Sequence, residues 1–367
     1  MSGEFGAHAE WLDRWLRETA LPLWWRAGAD HRLGGWFDAL GQDLTPRGPR
    51  RARVQARQAF VYATAGKIGW DGPWREAAWH GLDYLLDRYR RPDGLYLAIL
   101  SAEGEVLDET PRLYEQAFAL LAMATVHRQD SGRRDLPAVA GELLAALDQL
   151  RHGAGGFRET YGHPFQSNAQ MHLFEAALAW MEVGGGAEWR ALADELADLA
   201  LARFIDPQGG FLREMFDAQW RPALGEDGRR VEPGHQFEWA YLLDRWSALT
   251  GRPEGTAAAR RLHEIGLRGV HPTNGVAVEA IADDFTIVEP RARLWGQTER
   301  LRASVVFGNS AEQAAAAAAV RRFLEAASPG LWREYMRPNG AFVDEPAPAS
   351  SFYHLIGAIA DLPKPQV

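Results

Sequence analysis

The sequence predicts an all-α fold, an (α/α)6 barrel in which six helical hairpins close into a toroid, and three observations predict it. Twelve segments place apolar residues at i, i+3, i+4 and i+7, the one-faced spacing of a helix. A glycine turn recurs between helix pairs at intervals of 54 to 65 residues. Some segments are apolar nearly all round, as from Met171 to Trp180, and such helices belong to a buried inner layer.

The helical segments fall at 9–26, 55–69, 74–90, 112–127, 136–150, 168–183, 187–204, 234–250, 256–266, 296–307, 311–327 and 351–361. The turns are Gly34-Gly35-Trp36, Asp93-Gly94-Leu95, Gly155-Gly156-Phe157, Gly209-Gly210-Phe211, Asn274-Gly275-Val276 and Asn339-Gly340-Ala341. Glycine and asparagine supply positive φ, so short β-like excursions are expected there. Open solenoids such as tetratricopeptide arrays repeat every ~34 residues per helix pair. The longer repeat here leaves a surplus for long loops, which at one end of a closed barrel build a cleft. The alanine run from Ala314 to Ala319 is helical, and no linker interrupts the chain, so one domain over 1–367 is expected.

There are no cysteines, which excludes disulfides, thiolate nucleophiles and Cys-ligated zinc. The net charge is −9 and the densest basic stretch, Arg47 to Arg53, is short, so no nucleic-acid partner is expected. No apolar run approaches the ~20 residues that span a bilayer. The acidic start at Glu4 and the early helix differ from a signal peptide. No membrane partner and a cytoplasmic location are therefore expected, and a homodimer is left open. His-Glu-x-x-His, EF-hand, Walker, dinucleotide and Gly-x-Ser-x-Gly patterns are missing. No metal and no cofactor are expected. Most of the fifteen tryptophans are expected to fill the core.

Chemistry shows where ionisable groups interrupt apolar helices, because burying them unpaired is costly. Five places do this. Arg57 opens an otherwise apolar helix, where it can hold sugar hydroxyls or an enediolate; the alternative is a first-turn surface arginine. Asn168, His172 and Glu175 share one polar helix face, His172 and Glu175 at i, i+3. His235 and Glu238 pair in the same way just after Pro233-Gly234. The helix start should lower the pKa of His235 and the carboxylate oppose it, leaving it near neutrality. Trp295 offers a stacking platform, with Gln297 or Glu299 as a hydroxyl ligand. His354 lies within an almost wholly apolar last helix.

At these five places, and at Glu109 to Leu121, the sequence resembles the N-acylglucosamine 2-epimerase family, with landmarks in order from Gln55 to His354. That family includes cellobiose 2-epimerase, mannose isomerase and sulfoquinovose isomerase. The resemblance implies the same (α/α)6 barrel. It implies that His235 and His354 carry proton transfer, and that Arg57 sits against the reacting end of the substrate. Asn168, His172, Glu238 and Glu299 would line the pocket, with Tyr114 and Trp295 as its aromatic walls. The chain departs from some relatives at Arg53 (Trp there), Gln116 (His) and Ser350 (Gln). The stretch Arg293 to Glu299 looks closest to the mannose-isomerase-like branch.

The reaction expected is metal-independent isomerisation between mannose-type aldoses and fructose-type ketoses, free or 6-phosphorylated, through a cis-enediol. Histidine suits it, with an ordinary pKa of ~6.5 that allows donation and acceptance near neutral pH. Sugar 2-epimerisation uses the same intermediate. A glycoside hydrolase on this toroid would need two carboxylates at set separation, for which Glu175, Glu238 and Glu299 are available. A catalytically inactive sugar-binding protein is the third reading.

Overall fold

The computed structural model describes residues 3–363; the ends of the expected 1–367 domain, residues 1–2 and 364–367, lie outside the described residues. The first helical run begins as α1 (Glu4–Arg14). It continues to Gly28 through π-wound turns at Trp15–Ala20 and Trp24–Gly28, on either side of Leu21–Leu23. Pro22 sits between them and has no N–H to donate, which breaks the regular ladder there.

Five hairpins follow. They are α2 (Ala52–Lys67) with α3 (Trp74–Arg88), α4 (Leu113–Gln129) with α5 (Leu136–Ala146), and α6 (Ser167–Glu182) with α7 (Ala187–Leu199). Then come α8 (Pro233–Thr250) with α9 (Pro253–Arg268), and α10 (Leu294–Phe307) with α11 (Ser310–Glu325). The α8–α9 corner shows how locally this is written: Gly251 closes α8 at φ 77°, and Pro253 starts α9. The last helix is α12 (Ser351–Ala360).

The even-numbered helices form the inner ring. α2 packs on α4, α4 on α6, α6 on α8, α8 on α10, α10 on α12, and α12 returns to α2. α12 has no outer helix after it; α1 takes that place, packing on α11 and α12. The sixth hairpin therefore joins the two ends of the chain. A single helical turn at Glu226–Arg229 is the helical piece that the apolar spacing did not reveal.

Strands of two or three residues tie the loops into four small antiparallel sheets. One pairs Ala39–Leu40 with Pro46–Arg47 and with Ala347–Pro348, so the first and last loops also meet. Such short strands need a further anchor, and five glutamines provide it. Gln55, Gln116, Gln170, Gln236 and Gln297 are each the fourth residue of an inner helix, and each is fully buried. Each amide accepts from the N–H and donates to the carbonyl of one residue just past a glycine turn. Those residues are Trp36, Tyr96, Phe157, Leu212 and Ala277. Each bond adds about 0.5–1.5 kcal/mol net. The second residue of all six turns is a glycine with φ between 66° and 89°, so glycine is needed for the backbone of the five tethered turns to reach the glutamine.

Eleven of the fifteen tryptophans are buried, as expected of core filler. Trp24 stacks on Trp332 at 4.9 Å and Trp180 on Trp189 at 5.2 Å. Trp295 is only half-buried, and it is the exception that leads to the site.

Candidate active site

The inner helices all start at one end of the barrel, and the side chains of their first two turns meet there around a cavity of about 250 Å³. The second helix position supplies Tyr114, Asn168 and Trp295 to its wall, and the sixth supplies Arg57, His172 and Glu238. The sixth positions of α4 and α10, Phe118 and Glu299, complete that level. On α8 the second position is Gly234, because any Cβ there would collide with the Trp295 ring.

α12 breaks the pattern usefully. Its fourth residue, the place of the tethering glutamine in the other five inner helices, is His354. Its Nδ1 lies 2.7 Å from Glu299 Oε1. Across the cavity, His235 Nδ1 lies 2.8 Å from Glu214 Oε2. Trp295 stands between the two rings, 5.0 Å from His235 and 5.8 Å from His354 by centroids. With carboxylates on both Nδ1 atoms, Nε2 is left as the unengaged nitrogen of each ring.

The two imidazoles are tuned apart. Burial alone would lower His235, but Glu214 and Glu232 outweigh it and raise it to about 10. Burial, then the cations Arg57, Arg302 and Arg293, hold His354 well below its ordinary value. One histidine is therefore set to carry a proton and the other to take one. Arg57 donates to Tyr114 Oη at 2.6 Å and to the Ser350 carbonyl at 3.1 Å, with its guanidinium 4.1 Å from the Phe118 ring centre. Its Nε has no partner among the described residues.

Below this level lie buried charges. Burial would raise Glu175, but His172, Arg302 and Tyr353 outweigh it and hold it at about 2. Glu299 is pushed up to about 7, by burial first, with Glu175 adding to it and Arg302 opposing. Burial pulls His172 down to about 4. Ligand atoms of His172, Glu175 and Glu238, and of Glu238, Glu299 and His354, lie within 4.8 Å of one another, a span that a metal ion could bridge. The charge of Arg302, 3.9 Å from both Glu175 and Glu299, already stands there, and His354 Nδ1 is engaged by Glu299. A second cavity, about 120 Å³, opens at the other end of the barrel; it reaches Glu175 and Arg302 but neither reactive histidine.

Residues 34–358 match the N-acylglucosamine 2-epimerase (GlcNAc 2-epimerase) family. The chain belongs to the N-acylglucosamine 2-epimerase family. It is 45% identical to a Rhizobium meliloti (strain 1021) protein named mannose-6-phosphate isomerase, over 96% of this chain and 95% of that one. It is 30% identical to a Thermobifida fusca protein named D-mannose isomerase, over 82% and 79%. Its fold is that of the cellobiose 2-epimerase of Bacillus thermoamylovorans B4167, with a TM-score of 0.85 at 15% identity over 97% of this chain and 98% of that one. The family contains isomerases and epimerases, and this chain is an enzyme of isomerase type.

Of the residues that the sequence and the family resemblance singled out, Arg57, Tyr114, Asn168 and His172 border the cavity together with His235, Glu238, Trp295 and His354. Glu299 stands behind His354 and holds it. Gln297 is a correction: its amide is taken up by both backbone groups of Ala277, it is fully buried, and it does not border the cavity. The expected near-neutral His235 is also corrected, since its hydrogen-bonded carboxylate is Glu214, and that pairing outweighs burial and the helix start. Sequence reasoning missed Glu214, Glu232 and Arg302 in this N-acylglucosamine 2-epimerase family site. Glu214 sits on a loop with no periodic pattern to mark it, four residues past the Gly209-Gly210 turn. No helix among the described residues is long and apolar enough to cross a membrane.

Proposed function

We propose that the chain is a single-domain, metal-independent aldose–ketose isomerase that interconverts mannose-type and fructose-type sugars through a cis-enediol. The observation that carries this reading is the pair of carboxylate-held histidines, oppositely tuned, on either side of Trp295. The names of the two relatives described above support the choice of sugar.

In this reading the sugar stacks against Trp295 with its reacting end toward Arg57. Protonated His235 gives its proton to the ring oxygen as the C1–O5 bond breaks, and takes the O1 proton in return as the O1–H pair becomes the C1–O1 π bond, so it ends the opening protonated. Neutral His354 then takes the proton from C2, the C2–H electron pair becomes the C1–C2 double bond, and the same imidazole returns the proton to C1. Arg57, with no carboxylate partner among the described residues, faces the developing oxyanion. Glu214 and Glu299 fix the two rings so that Nε2 faces the sugar.

The test is early-time proton NMR in D2O with mannose, fructose, glucose, their 6-phosphates, N-acetylmannosamine and cellobiose. Ketose carrying deuterium at C1 is the expected first product from a mannose-type sugar. Deuterium appearing first at C2 of an epimeric aldose would replace the isomerase by a 2-epimerase. Turnover of neither kind with any of these sugars would overturn both.

A further inference from the structure

Isomerisation moves two kinds of proton. The histidines account for the carbon-bound one. The oxygen-bound one must also move, since O1 gains a proton and O2 loses one between aldose and ketose. His354 is occupied by the carbon proton, and His235, protonated again after ring opening, cannot accept the O2 proton.

The buried cluster beneath the histidines offers another group. Glu175, Glu238 and Glu299 come from three adjacent inner helices, and each is about 1% exposed. The charged and titratable groups facing Glu238 are His172 and Glu175 on α6, Glu299 and Arg302 on α10, Tyr353 and His354 on α12, and His235 on its own helix. Arg302 is the guanidinium that reaches Glu175 and Glu299, at 3.9 Å each, and its Nε is held by Asp361 at 2.8 Å. Glu175 also takes the Tyr353 hydroxyl. Among the described residues, Glu238 receives no hydrogen bond on Oε1, and His172 Nδ1, 3.9 Å away, and Glu299 Oε2 are likewise without hydrogen-bond partners. Two buried carboxylate oxygens, on Glu238 and Glu299, thus lack a hydrogen-bond donor among the described residues. A cluster of three carboxylates around one shared guanidinium is short of two positive charges, and an added proton halves that deficit. Glu238 is the member of the three that borders the substrate cavity.

We propose that Glu238 is held as a neutral carboxylic acid, and that it moves the oxygen-bound proton of the enediol from O2 to O1. This rests on the isomerase reading for its second half. One oxygen of Glu238 gives its proton to O1 and the other accepts the proton of O2. The two transfers follow in turn: as His354 takes the C2 proton, the C1–O1 π pair becomes the O1–H bond; then, as the C1–C2 π pair takes the proton back from His354 to form the C1–H bond, the O2–H pair becomes the C2–O2 π bond. The acid is regenerated with its proton on the other oxygen, and no oxidant or co-reactant enters. Burial, with Glu299 and Glu175 adding to it, keeps Glu238 protonated far above the usual carboxylate range.

The test uses Glu238→Gln, which keeps shape and neutrality but cannot relay a proton. In the infrared difference between wild type and Glu238→Gln at pH 7, without sugar, a protonated carboxylic-acid carbonyl band should be lost. Loss of an ionised carboxylate band instead would overturn the first half whatever the substrate proves to be. Stoichiometric metal that leaves with Glu238→Gln and takes activity with it would replace the proton by an ion. If the variant does not fold, the wild-type spectrum decides: absence of any such band between pH 7 and 8 overturns the proposal. For the second half, Glu238→Gln should lower ketose formation by about 10²-fold or more, while KM changes little. In D2O its recovered aldose should still exchange the C2 hydrogen, because His354 is intact. Exchange and isomerisation falling together, or retention of a tenth of wild-type kcat, would make Glu238 a binding residue. Wild type that exchanges no sugar at all would sink the isomerase reading and the relay with it, while the infrared result on the neutral acid would stand.

Discussion

Glu214 reaches His235 from a loop 21 residues upstream and places Oε2 2.8 Å from Nδ1. That bond ties the catalytic end of α8 to the wall formed by α6, because the same carboxylate also meets Ser167. Among the opposing influences on His235, the Glu214 charge is the largest that raises its pKa. Glu214→Gln keeps a hydrogen-bond acceptor and removes the charge. The alkaline limb of kcat, set near pH 10 by His235, should move down by about 1–3 units, the usual effect of one close opposite charge. An unmoved limb would show that His235 is not the acid.

His354→Asn and His235→Asn should each lower kcat by at least about 10²-fold, the low end for losing a general acid or base. Both residues are buried but line a cavity, so asparagine can take their place without a large void. Circular dichroism and Tm should therefore stay close to wild type. Kinetics at matched saturation check it: a variant with more than a tenth of wild-type kcat removes that residue from the mechanism.

Gln297→Leu separates tether from ligand. Leucine leaves the buried N–H and carbonyl of Ala277 without partners, at roughly 1–3 kcal/mol for each stranded group. Tm should fall by several degrees, while kcat and KM of the folded fraction remain within about two-fold, since a residue outside the cavity adds little to transition-state binding. A raised KM with unchanged Tm would return Gln297 to the substrate.

The fold was legible because its signals are local: apolar spacing marks each helix, and a glycine at positive φ marks each turn. The pairing of α1 with α12 was not, since no local pattern records which ends of a chain meet. The site was legible where a charged residue interrupts an apolar inner helix, as at Arg57, His172 and His354. The same reasoning misplaced Gln297, because a polar residue on an apolar helix can be turned toward backbone as well as toward a cavity. Gln55, Gln116, Gln170 and Gln236 carried the corrective signal, each standing at the matching place in its own repeat. Glu214 had no such signal: only the folded loop brings it to His235.

The pH dependence of stability should report His235 directly. Its pKa is raised to about 10 in the folded protein, against ~6.5 unfolded. The folded state thus binds the proton more tightly, and the stabilisation is fully present below about pH 6.5 and is lost as pH rises through about 10. Below about pH 9 few other groups titrate, since tyrosine in the unfolded chain ionises only near ~10. There is no cysteine, the chain has two lysines, Lys67 and Lys364, and Tyr62, Tyr89, Tyr96, Tyr241, Tyr335 and Tyr353 are all raised by burial. Tm measured from pH 6.5 to 10.5 should fall steadily in wild type and fall less in His235→Asn, which has no proton to lose. Glu214→Gln should lie between them, because Glu232 still faces the ring at 3.5 Å. Parallel wild-type and His235→Asn curves would mean that the histidine is not protonated in the folded protein, and the acid role assigned to it would go with that.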